Sequence, residues 1–72
     1  MQFHERLKEL RLGRQATQWD LAKIMKITDR AFRHYEAGTR EPTIAGLIAL
    51  SQFFGVSIDY LVGVDDVPNR RK

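Results

Sequence analysis

Apolar residues recur along this chain at helical spacing. Phe3, Leu7 and Leu10 stand at i, i+4 and i+7, one face of a helix from about residue 2 to 13, and Glu5, Arg6, Lys8, Glu9 and Arg11 fill most of its other faces. Leu21, Ala22, Ile24 and Met25 give a second helix its apolar face, and Ala31, Phe32 and Tyr35 do the same for a third. After Thr43, the residues Ile44, Leu47, Ile48, Leu50 and Phe53-Phe54 form the most apolar stretch, expected to be the central support of the core. Ile58, Leu61 and Val62, behind Ser57, are expected to close that core from a short last helix. The pattern predicts an all-α domain of five helices over residues 1–63. Periodicity stops there, so residues 64–72, VDDVPNRRK, are expected to be a flexible tail or the start of a linker.

Cap residues punctuate these elements. Thr17-Gln-Trp-Asp20 has the form of a capping box with a shortened acid, Thr28 is a good N-cap for the third helix, and Gly38 is a good C′ residue for its end. The second and third helices, with the tight turn Met25-Lys26-Ile27-Thr28 between them, are the stretch the rest is organised around. Ala22 is small where they would cross. On the side of the third helix opposite Phe32, the residues Thr28, Asp29, Arg30, Arg33 and His34 are polar and long-reaching. A helix with one buried face and one such hydrogen-bonding face suits the major groove of a nucleic-acid duplex.

The run from Thr17 to Pro42 resembles the helix-turn-helix of the phage-repressor and Cro-like family, the xenobiotic response element family. Thr17-Gln18, Leu21-Ala22, Ile27-Thr28, Phe32, Tyr35-Glu36, Gly38 and Pro42 carry the resemblance, which continues through GVSIDYLVG and spans about residues 3 to 63. It departs from the family at the turn, where Lys26 replaces the usual Gly and, with its Cβ, has to tolerate whatever backbone the turn requires, at some cost if φ is positive. It also departs just before Thr17, where Gln15-Ala16 replaces Gly-Leu. The resemblance implies a compact, lambda-repressor-like domain that binds double-stranded DNA as a dimer. It also implies an ion pair between Arg11 and Glu36, against the plainer reading of two solvated charges worth ~0–1 kcal/mol.

Thr28, Asp29, Arg30, Arg33 and His34 are the base-reading candidates; Thr17, Gln18 and Arg40 are the candidates for the DNA backbone. Arg30 and Arg33 can each donate two parallel bonds to guanine, or bind phosphate instead. Asp29 either complements the helix dipole or accepts from cytosine N4. Gln18 stands at a helix start that favours phosphate, or is an ordinary exposed residue. Arg40 contacts phosphate or the minor groove, or belongs to a plain surface loop. Trp19 is expected to be partly buried. Phe53, Phe54, Val56 and Tyr60 are the candidate dimer patch.

Composition narrows the alternatives. Seventy-two residues make one small domain. With no cysteine there is neither a disulfide framework nor a thiolate metal site, and only His4 and His34 remain as imidazole ligands, so no metal or other cofactor is expected. No apolar run approaches the ~20 residues needed to cross a bilayer, which leaves a soluble, cytoplasmic protein as the simplest reading. No nucleophile and base, and no phosphate-binding glycine loop, can be assembled, which argues against an enzyme. The net charge of +3 draws three cations from Arg70, Arg71 and Lys72, so the rest of the chain is close to neutral and individual placements must carry the case. The tail cations themselves could touch DNA without reading it. A transcriptional regulator, most simply a repressor, is the first hypothesis; a protein-interaction module or antitoxin-type regulator on the same fold is the alternative.

Overall fold

Four of the five helices begin where a hydroxyl side chain satisfies an orphan amide of the first turn. In the computed structural model, which describes residues 1–67, Thr17, Thr28, Thr43 and Ser57 accept from the amides of Asp20, Ala31, Gly46 and Tyr60, each at 3.0 Å. The elements are α1 (Phe3–Gly13), α2 (Gln18–Met25), α3 (Asp29–Ala37), α4 (Ile44–Phe54) and α5 (Ile58–Leu61), with no strand among the described residues. The tail cations Arg70, Arg71 and Lys72 lie outside the described residues.

One side chain from each helix meets at the centre. Leu7, Leu21, Phe32, Leu50 and Leu61 are each fully buried. The helix–turn–helix pair α2 and α3 packs on α4 and α1 through Ala22, Met25 and Tyr35. Gly46 lets α2 and α4 approach, since a Cβ there would lie 2.9 Å from the Met25 methyl. Two non-glycine residues take the left-handed conformation, Gln15 (φ 56°) and Lys26 (φ 58°), and both stand where the family pattern has glycine.

Several sequence expectations need correction. Ile44 and Ile48 do not support the core, being 76% and 43% exposed; α4 buries Gly46, Leu50, Ser51 and Phe54 instead. In so apolar a helix, either face could have been the inner one. Ile58 is also outside the buried core, at 38% exposure, leaving Leu61 to close it, with Val62 half-buried. Trp19 is 59% exposed rather than partly buried, with the Lys23 ammonium 4.3 Å above its ring. Phe54 and Val56 are buried and so cannot form a dimer patch, while Phe53 and Tyr60 are half-buried against the core.

Arginines cover these half-buried rings. Arg6, expected on the outer side of α1, is 4% exposed, with its guanidinium 3.7 Å above Tyr60 and within 3.6 Å of Asp66. Arg14 covers Phe53 at 5.3 Å and donates to the Phe54 carbonyl at 3.3 Å.

Candidate nucleic-acid interface

The turn between α2 and α3 sets how α3 is presented. Lys26 ends α2, its left-handed backbone reverses the chain, and Thr28 starts α3 two residues later. Phe32, Tyr35 and Glu36 then turn inward, leaving Arg30 and Arg33 exposed, with Asp29 and His34 partly so. Gly38 ends the helix at φ 82°, and the imidazole of His4 packs directly over it. Of the loop that follows, Thr39 is tied back to the helix, its hydroxyl donating to the His34 carbonyl at 3.2 Å and lying 3.1 Å from His34 Nδ1.

Glu36 is the hub beneath this surface. Its carboxylate, 6% exposed, accepts from Arg11 Nε and Nη2 at 2.8 Å each and from Gln18 Nε2 at 3.2 Å. Arg11 also donates to the Ala16 carbonyl at 3.1 Å. The hydrogen bonds from Arg11 to Glu36 raise the guanidinium pKa above its ordinary value against an opposing desolvation. Gln18 is therefore held by a structural carboxylate while its backbone sits at the start of α2. Thr17 is also occupied: its hydroxyl caps Asp20, and its amide donates to the Asp20 carboxylate at 2.9 Å. That amide bond, more than any other contact, lowers the Asp20 pKa.

The candidate residues fall on two flanks of α3. Thr28, Arg30, Ala31, His34 and Arg40 line a recess on one side, and Lys8, Gln18, Arg33, Glu36 and Ala37 line another. Arg30 and Arg40 have no carboxylate partner among the described residues, whereas Arg33 Nη2 lies 2.6 Å from Asp29 Oδ2, one helical turn back. Lys8 of α1 is the member the sequence reading missed. Its local pattern marks it only as an outward position, and nothing nearby in the sequence links it to Arg33. Among the described residues, no group of three or more His, Cys, Asp or Glu side chains is placed to hold a metal ion, and no helix is long and apolar enough to cross a membrane.

A helix-turn-helix domain family model matches residues 4–67. The chain belongs to this helix-turn-helix family. Among the relatives of the domain, the uncharacterized HTH-type transcriptional regulator YqaE of Bacillus subtilis is 42% identical over 60 residues, covering 83% of this chain and 52% of that protein. The HTH-type transcriptional activator BcrR of Enterococcus faecalis is 34% identical over 67 residues, covering 93% of this chain and 33% of BcrR. Among solved structures, the P22 c2 repressor in complex with a synthetic operator superposes with a TM-score of 0.82 at 29% identity, covering 90% of this chain and 98% of that one. The helix-turn-helix domain spans between 33% and 60% of the length of the curated relatives it matches. These likenesses establish the repressor-type helix-turn-helix fold that the motif residues implied.

Proposed function

We propose that this domain binds double-stranded DNA sequence-specifically and regulates transcription, with α3 in the major groove. The observation that carries the reading is the exposed recess beside α3, where Arg30 of the helix and Arg40 of the following loop, without a carboxylate partner among the described residues, stand with Thr28 and His34. An arginine with no internal partner keeps its full set of donors for guanine or phosphate. Support comes from the similarity to a repressor bound to its operator and to several transcriptional regulators. Of the base-reading candidates, Thr28, Asp29, Arg30 and His34 form the face turned to the bases and Arg33 stands at its shoulder; Thr17, Gln18 and Arg40 run along the backbone. The action is binding alone, without a cofactor or a chemical step, and repression follows where the bound site overlaps a promoter. The relatives are bacterial proteins, and a regulator of this kind works in the cytoplasm.

The domain acts as a homodimer on a palindrome. Its longest dimension is 31 Å, so one copy covers about one turn of duplex, and one recognition helix reads only a few base pairs. Two copies on half-sites ~34 Å apart double the information read. The test is selection from a random duplex pool at ~150 mM salt, where non-specific binding is weakened. Enrichment of an inverted repeat with half-sites ~10 base pairs apart is expected. A folded protein that enriches no sequence contradicts the reading and favours an interaction module on the same fold.

A further inference from the structure

The two flanks of α3 differ in kind. By helical period, Arg30 and Ala37 share the middle of the outward face, with His34 to one side and Arg33 to the other. Arg33 does not reach over the middle. Asp29 holds it by the 2.6 Å contact, and it lines the recess shared with Lys8 and Gln18. Among the described residues the one carboxylate lining that recess, Glu36, is taken up by Arg11 and Gln18. Lys8 is exposed and has no ion-pair partner among the described residues, so its charge is left over.

An α-helix with its side chains is ~10–12 Å across and the major groove is ~12 Å wide, so a helix in the groove fills it from wall to wall. The walls are the two phosphate backbones. Side chains at the shoulders of α3, and those of a neighbouring helix beside it, therefore meet phosphate rather than bases.

Resting on the DNA-binding reading above, we propose that Lys8 of α1 and Arg33 of α3 together clamp a backbone phosphate on one wall of the groove, leaving Arg30 as the arginine that reads a base. Arg11 and Glu36 brace α1 against α3 directly beneath the clamp, so the spacing of the two cations is set before DNA arrives. Lys8 supplies a compact point charge, and Arg33, with one Nη engaged by Asp29, retains other N–H donors for a phosphate oxygen. Arg40 faces the opposite wall.

The test compares Lys8→Gln, Arg33→Ala and Arg30→Ala with the parent protein, on the selected operator and on an unrelated duplex, across a salt series. Thermal melts check that each variant is folded. Lys8→Gln and Arg33→Ala are each expected to weaken both duplexes by the same factor, roughly fivefold at ~0.15 M salt, to reduce the salt slope by about 0.9, and to leave the selected sequence unchanged. Arg30→Ala is expected to relax preference at one base pair instead. If Lys8→Gln leaves affinity and slope unchanged, or Arg33→Ala alters the preferred base at a position, the clamp is wrong while the DNA-binding reading stands. If the parent protein binds neither duplex, the DNA-binding reading fails first and takes the clamp with it.

Discussion

Arg11 and Glu36, 25 residues apart, are joined by two parallel hydrogen bonds of 2.8 Å that tie α1 to α3. Both side chains are largely shielded from water, at 13% and 6% exposure. A paired fork in this setting contributes geometry more than net energy, because desolvation offsets much of the attraction. Removing one partner is another matter.

Glu36→Ala is expected to leave the shielded Arg11 guanidinium without its carboxylate and to release Gln18. Loss of one member of a shielded pair typically costs about 3 kcal/mol, which for a domain of this size lowers Tm by well over 10 °C. Chemical and thermal denaturation would measure this. A variant that melts with the parent would show that the bracing is unimportant.

Lys26 and Gln15 hold left-handed backbone at φ 58° and 56°. For a residue with a Cβ this conformation costs about 1–2 kcal/mol, while glycine gives back part of the gain through a more flexible unfolded chain. Lys26→Gly is therefore expected to stabilise the domain by about 0.5–1 kcal/mol, and Lys26→Val to destabilise it. Urea midpoints would decide; a destabilised glycine variant would mean that Lys26 makes some further favourable contact.

Gly38→Ala should fail for two separable reasons. The backbone is left-handed at φ 82°, and the new Cβ would lie 2.9 Å from His4 Nδ1. His4→Ala in the same chain is expected to recover only the steric part of the loss. Full recovery in the double variant would show that the backbone conformation costs nothing.

Asp20 should titrate below the ordinary carboxylate value, because its ionised form accepts from the Thr17 amide and, less strongly, interacts with the Thr17 hydroxyl. With the folded pKa depressed, its contribution to stability is present above the unfolded value of about 3.9 and is lost as pH falls through the folded one. An NMR titration of the side-chain carboxyl should show the lowered midpoint, and Asp20→Asn should flatten the acid limb of stability against pH. A midpoint at the ordinary value would mean that the capping box is open in solution.

The local devices of this fold could be read from the chain. Thr17, Thr28, Thr43 and Ser57 cap helices because each hydroxyl reaches an amide three residues on. The left-handed turn at Lys26 follows from its place in the motif. The outward polar face of α3 was equally visible, since Phe32 and Tyr35 fix the inward one. All of these relationships span only a few residues.

Contacts between distant parts of the chain were settled differently. The largely apolar first two turns of α4 give no period from which to choose a face, so only packing against Met25 and the core decided that Gly46, Leu50 and Phe54 turn inward while Ile44 and Ile48 turn out. Arg6 and Lys8 both read as outward cations of α1. The neighbouring ring of Tyr60 covers the first, and the proximity of α3 brings the second beside Arg33. Periodicity thus determined the helices and the exposed face of α3. Tertiary packing decided which exposed cations share a surface, because their distances depend on how separate helices cross rather than on their spacing along one helix.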